Sequence, residues 1–539
     1  MSSTAKLVVV ATVSLTGIML SPQAYAQSAD NADAEIVLLK QQLKLMEQKL
    51  DKLQKQTSAN AVAAANANAK VDARAPNGSA TYSTKGPVAP SSVVVTMPGN
   101  RPTFCTADNL NCISITSRLH FDAGGYDYRA NSAATNPQRL DDGVNARRAR
   151  IGVIGKFMGD WNYSLIYDFG GTSDGFGGTG SFGAAPPAGG TAVGFLPGGA
   201  VSGIEAAYLS YTGFKPLGGK LAIEGGYMDT LYTLDEATSS NDIMFMERAS
   251  PGVIAANIAA GDFRSAAGLR WYTDTFWAGA YATGPVSGSI HSASSLNPNG
   301  ATEQFGTFAR VAAQVVSSKD YTLHIGGEAE FLIDPAHNLV TQAETLTLSD
   351  RPELRLDPTT LISTGAIANV SGAQVYSVEA AATYGPLYFQ GEYFWFNIDR
   401  NATTGLPPVG APSLKFNGGY AEASYALTGE THTYNSGNAA YNGIVPANPF
   451  SLTEGGWGAW EIAGRISQID LNDQLASANG VAGGRQTVFT AGLNWYANRN
   501  VRFMFDYLHG DIAKQVSPTN FTDTGSKFNA LAMRTQVAF

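Results

Sequence analysis

From Ile113 to Phe539 apolar and polar side chains alternate with a period of two, in segments of about ten residues. Around Gly159-Asp160, Ala149, Ile151, Val153 and Phe157 alternate with Arg148, Arg150, Ile154 and Lys156 on the way in. On the way out Trp161, Tyr163, Leu165, Tyr167 and Phe169 alternate with Asn162, Ser164, Ile166 and Asp168. The same dyad recurs at Tyr321, Leu323, Ile325, Phe331 and Ile333 against Thr322, His324, Glu328 and Glu330, and again through Phe489, Leu493 and Trp495. A strand places successive side chains on opposite faces, so each segment has one apolar and one polar face.

Strands of a soluble sandwich alternate as well. Here the segments are long, aromatics collect at their ends as a membrane girdle requires, and no apolar helix-length run is available to cross a bilayer. Sixteen segments can be counted, starting near Ser114, Asn145, Trp161, Gly203, Gly219, Arg264, Phe276, Gln304, Asp320, Ala373, Leu387, Phe416, Trp457, Arg485, Asn500 and Phe528. Their connectors mostly alternate short and long, the long ones including 171–202, 230–263 and 334–372. The expected fold is an all-β, 16-stranded antiparallel transmembrane β-barrel over 113–539. Sixteen strands enclose more space than side chains fill, leaving an aqueous channel. One connector, 428–456, is long where the alternation demands a short periplasmic turn; it either folds into the periplasmic mouth or marks an error in the count.

The N-terminus specifies the compartment. Lys6, an apolar run from Leu7 to Leu20, and Ala24-Tyr25-Ala26 read as a signal peptide over 1–26, cleaved between Ala26 and Gln27. Residues 27–56 carry Ile36, Leu39, Leu43, Met46, Leu50 and Leu53 at spacings of three and four, a short periplasmic coiled-coil seam; a lone amphipathic helix is the alternative. Residues 57–112 read as a flexible linker, first Ala/Asn-rich and then Pro, Ser, Gly and Thr-rich. Its Cys105 and Cys112 are the chain's two cysteines, expected in an exported protein to close a small disulfide loop.

The chain has 35 basic and 44 acidic residues, a net charge of −9 that disfavours nucleic acid as a partner. Its six histidines, His120, His291, His324, His337, His432 and His509, form neither a nucleophile elbow nor a zinc spacing. Asp334, Asp350, Asp357 and Asp399 lack an EF-hand pattern. No enzyme activity, cofactor or metal is expected.

The run Ala146-Arg147-Arg148-Ala149-Arg150-Ile151-Gly152, with Gly159-Asp160-Trp161 and Tyr167-Asp168-Phe169, resembles the phosphate-selective porin O/P family. So do Phe245-Met246-Glu247-Arg248, Arg351-Pro352-Glu353, Thr428-Gly429-Glu430, Trp460-Glu461 with Arg465, and Gly492-Leu493-Asn494-Trp495-Tyr496. The resemblance covers the whole barrel. It implies a homotrimeric outer-membrane channel of a Gram-negative bacterium, set among lipid and lipopolysaccharide. Inward-folded extracellular loops and basic side chains would form its constriction and pass small anions such as phosphate or polyphosphate. The terminal Phe539, on one face with Leu531, Met533 and Val537, is the ending that barrel-assembly machinery is expected to read.

Carried over position by position, Arg147 and Arg148 match the family's tandem arginine. Arg118 shares an inward strand face with His120 and Asp122. Arg248 falls in the 230–263 connector, Arg264 and Arg270 on the strand that follows, and Glu205 where a family acid contacts the ion. A guanidinium fork donates several hydrogen bonds to an oxyanion and stays charged at any relevant pH. The alternative is that these arginines balance inward acids such as Glu224, Glu328 and Glu330 across the lumen. From residue 113 on there are 25 bases against 37 acids, and the 171–202 connector has Asp174 but no lysine. A general or weakly cation-selective nutrient porin for small polar solutes therefore stands beside the anion channel.

Overall fold

The structure is a computed structural model that describes residue 44 and residues 93–134, 139–170, 203–261, 263–284, 302–337, 343–401 and 412–539. The signal segment, the 171–202 connector and, apart from Lys44, the coiled-coil seam lie outside the described residues. Residues 90–539 form one compact unit.

Its sixteen long strands are β1 (Cys112–Ala130), β2 (Gly143–Phe157), β3 (Trp161–Asp168), β4 (Gly203–Phe214), β5 (Lys220–Asp229), β6 (Phe263–Tyr272), β7 (Phe276–Thr283) and β8 (Phe305–Ser317). They continue as β9 (Tyr321–Asp334), β10 (Val370–Tyr384), β11 (Leu387–Arg400), β12 (Leu414–Ala426), β13 (Ala459–Asp473), β14 (Val481–Tyr496), β15 (Val501–Ala513) and β16 (Ser526–Ala538). Each pairs antiparallel with the next, and β16 returns to β1, from Ser526 opposite Ala130 to Ala538 opposite Arg118. Phe539 and Ser117 then exchange backbone bonds at 3.0 Å each way. Closure leaves no sheet edge to meet hydrocarbon, where an unsatisfied backbone group costs several kcal/mol. No described helix is long and apolar enough to cross a membrane; this chain crosses with strands.

The period of two sets the two surfaces. On β11, Phe389, Tyr393 and Trp395 face out and are exposed, while Tyr388, Gln390, Glu392, Phe394 and Phe396 are buried inside. Leu119, Ile151, Leu165, Leu209, Ile223, Ile325, Val378, Ile466, Phe489 and Leu531 are likewise exposed apolar side chains, the lipid-facing band. The short turns are 158–160, 215–219, 273–275, 318–320, 385–386 and 497–500. In the first of these Met158 and Gly159 both have positive φ, 52° and 82°, as a tight turn between right-twisted strands requires.

Part of the stretch expected to be flexible linker is ordered. Val93–Thr96 and Thr103–Thr106 form a hairpin whose second strand pairs with the start of β1, Thr103 opposite Ser114. Cys105 and Cys112, directly opposite in this register, are disulfide-bonded. Pro102 and the Gly-Asn turn read as linker composition, but the valine run and the disulfide register supply the pairing that composition conceals.

Candidate pore constriction

The lumen is narrowed from both ends by chain that folds inward. Between β5 and β6 the connector carries α1 (Leu234–Ala237) and α2 (Ser250–Ile258). Thr233 caps α1 by accepting from the Glu236 amide at 3.0 Å, and Glu392 on β11 accepts from the Leu234 and Asp235 amides at 2.8 and 3.2 Å. The apolar face of α2, with Ile254 and Ile258, is buried in the same cluster as Phe308, Phe394 and Phe396 of the barrel wall. From the opposite end, residues 427–458 enter between β12 and β13 as a small hairpin, Thr433–Asn435 paired with Ala440–Asn442. Its turn carbonyls at Asn438 and Ala439 accept from Arg310 at 2.9 and 2.7 Å. Gly437 accepts from Arg270 and Trp277, both at 3.0 Å, and Asn438 donates to Ala237 at 3.4 Å. The exception in the connector alternation is thus an insertion into the lumen, not a miscounted strand.

Residues of the motifs that carry the resemblance, among them Arg147, Glu247, Glu353, Glu461 and Arg465, are the latches of these insertions. Glu247 takes a two-pronged bond from Arg147, at 2.8 and 3.0 Å, and another from Arg534 at 2.7 Å. Arg534 also grips Asp122 through two bonds of 2.7 Å. Arg465 donates to Glu353 at 2.8 Å and to the Glu247 carbonyl at 2.9 Å, with its guanidinium 4.6 Å from the Phe245 ring centre. Glu353 also receives the Ser250 amide at 2.9 Å, tying the 335–369 loop to α2. Glu461 accepts from Tyr496 at 2.8 Å and from Asn494 at 3.2 Å, and pairs with His432 of the inserted hairpin at 2.7 Å. Arg502 donates to the Asn241 and Ile243 carbonyls at 3.1 and 2.9 Å.

A cavity of about 320 Å³ lies against β1–β6. Of the residues expected at the constriction, Arg118, Arg148, Arg248, Arg270 and Glu205 line it. Arg147 is fully buried on Glu247, and Arg264 is fully buried on the carbonyls of Gly261 and Ala256, at 2.9 and 3.1 Å; neither is among the lining residues. Two consecutive arginines both point inward because the register slips at this point: His120 is opposite Arg148, but Phe121 is opposite Ala146. The bulge absorbs Arg147 and sends it to the loop latch while Arg148 stays with the pore.

Arg118 donates to the hydroxyls of Ser239, at 3.1 Å, and Ser240. Arg148 lies 3.4 Å from His120, and Arg248 donates to the Asp235 and Thr238 carbonyls at 3.0 and 2.9 Å while lying 3.4 Å from Glu236. Arg270 lies 3.2 Å from Glu224, whose other oxygen receives Tyr281 at 2.6 Å. The lining also contains Arg150, which bonds Asp168 at 2.8 Å and pairs with Glu205. Glu224, Asp229 and Glu236 complete its charges. Strand parity flags Arg150 and Glu224 as inward; nothing local flags Asp229 or Glu236.

Residues 113–539 match the family described as phosphate-selective porin O and P. The chain belongs to that family. It is an outer-membrane porin by family and by fold. Among curated relatives, an uncharacterized protein of Caulobacter vibrioides is 34% identical over 185 residues, 34% of this chain and 33% of that one. Porin O of Pseudomonas aeruginosa is 27% identical over 173 residues, 31% of this porin and 36% of that one. The match thus spans about a third of the length of each relative. Among solved structures, OmpT of Vibrio cholerae in its trimer form superposes with a TM-score of 0.45 and 12% identity, over 79% of this chain and 99% of that one. An anion-selective porin from Comamonas acidovorans gives 0.40 and 13%, with 79% and 99% covered.

Proposed function

We propose that this porin passes small anionic solutes passively through the cavity against β1–β6, as a homotrimer, with phosphate-class oxyanions the family's expectation. The observation that carries this is the cluster of Arg118, Arg148 and Arg150 on two neighbouring strands of the cavity wall, Arg118 directly opposite Arg150. Guanidinium planes facing a narrow, partly dehydrated passage bind an oxyanion through paired N–H donors without losing their charge. Contact with lipopolysaccharide outside, and assembly through the segment ending at Phe539, belong to the same proposal.

A second reading has its own support. The cavity contains the carboxylates Glu205, Glu224, Asp229 and Glu236 beside five arginines, so its net charge is small, and the barrel sequence is acidic. A general or weakly cation-selective porin would be built this way.

Reversal potential in a chloride gradient across planar bilayers, with inorganic phosphate titrated into the bath, separates the two. Anion-directed reversal and phosphate block of the chloride current, both lost in Arg118→Gln with Arg148→Gln, are expected. Cation-directed reversal, or current indifferent to phosphate, would favour the second reading. Arg147→Ala is the wrong partner for this test, because it releases Glu247.

A further inference from the structure

The charges that the first five strands place on the cavity are sorted by strand, and the connector adds the pair Arg248 and Glu236. On β1 and β2 every charged lining residue is basic, Arg118, Arg148 and Arg150; on β4 and β5 every one is acidic, Glu205, Glu224 and Asp229. Between them β3 contributes only Ser164 and Ile166. Neighbouring strands lie about 4.8 Å apart, so the strands that carry the basic and the acidic residues, two to four spacings apart, are separated by roughly 10 to 19 Å of curved surface with the neutral β3 between them. The walls are bridged at Arg150, which pairs with Glu205, and Arg270 on β6 closes the acidic side through Glu224.

A field so directed runs across the passage and not along it. An anion gains from the basic wall alone and a cation from the acidic wall alone. A neutral molecule gains only through its dipole. A solute with a carboxylate at one end and an ammonium at the other satisfies both walls at once when it lies across the cavity. The volume, about 320 Å³, sits at the small end of ligand pockets and suits a molecule of amino-acid size.

We infer that this cavity selects small zwitterions, with the anionic end on Arg118 and Arg148 and the cationic end on Glu224 and Asp229. The inference rests on the cavity being the open route, and uses the same basic wall as the anion reading. It does not require that anions pass better than cations.

Its test is swelling of liposomes containing the full-length porin, in β-alanine against lactamide, a neutral molecule of similar size. Swelling in β-alanine should be faster by about threefold or more, the factor that one solvent-exposed ion pair supplies. The advantage should fall toward one both in Glu224→Gln with Asp229→Asn and in Arg118→Gln with Arg148→Gln. N-acetyl-β-alanine and β-alanine amide, each with one charge blocked, should lose it in the wild-type porin, which keeps the test independent of whether any variant folds. Equal rates for β-alanine and lactamide, or an advantage that survives blocking either charge, would overturn the inference. Phosphate block of chloride current without a β-alanine advantage would leave the anion wall standing and remove the zwitterion. A β-alanine advantage without phosphate block would do the opposite.

Discussion

Arg147 and Glu247 form a two-pronged ion pair, 2.8 and 3.0 Å, between the barrel wall and the loop that narrows it, with both side chains almost wholly out of solvent. Together with Arg534 at 2.7 Å it fixes the loop at its midpoint. Burying a carboxylate between two guanidinium groups makes the loop's position depend on every member, because removing one leaves an uncompensated charge in place.

Glu247→Ala is accordingly expected to cost on the order of 3–5 kcal/mol of loop anchoring. The loop should leave the lumen in a measurable fraction of channels. Single-channel conductance should rise and become noisy, while heat-modifiable electrophoretic mobility stays that of a folded barrel. Unchanged conductance would show that the other contacts hold the loop alone.

Acid should do the same reversibly. Burial raises the Glu247 carboxyl, but the charges of Arg147 and Arg534 outweigh it and hold the group below the usual carboxylate range. A carboxyl depressed in the folded state contributes stability that is present above its unfolded value, near 4.3, and is lost as pH falls toward the folded one. Conductance steady from neutral pH down to about 4, then noisier in stronger acid, is the expected profile. Glu247→Gln should abolish that transition.

The inserted hairpin makes a separate prediction. Replacing residues 433–442 by a short turn removes the Arg310 and Arg270 contacts of the periplasmic-side insertion and the Asn442 carbonyl that lies 2.9 Å from His432. Conductance should increase severalfold, with thermal stability lowered because Arg310 keeps Glu379 but loses two carbonyl acceptors. A conductance within experimental scatter of wild type would place the limiting constriction elsewhere.

Deletions at the N-terminus should divide at the hairpin. Removing residues 27–89 is expected to leave conductance intact. Replacing Cys105 and Cys112 by Ser should lower stability by about 2 kcal/mol, the loop-closure effect for so short a span, seen as a reduced unfolding midpoint under oxidising conditions only.

Much of the barrel was legible because lipid on one side and water on the other impose a strict alternation; the expected strand starts fall within a few residues of Ser114 in β1 through Phe528 in β16. The site was legible only in part. Parity places Arg118, Arg148 and Glu205 inside, but it also places Arg264 inside without showing that carbonyls of the adjoining loop saturate it. Arg147 breaks parity, and a bulge is visible only once the partner strand is in register. The pairing of Glu247 with Arg534 joins a loop to the last strand, a relation that no local pattern encodes.

The two ends of the barrel share one edge of β1. Cys112–Ser114 pairs with the hairpin strand Thr103–Thr106, Ser117 with Phe539, and Arg118–Ala130 with β16. The cylinder therefore has a zipper whose slider is the final strand and whose stop is the disulfide-bonded hairpin. A chain lacking β16 would present two open edges, on β1 and β15 of a fifteen-stranded sheet, so insertion should be all or none in the length of that strand.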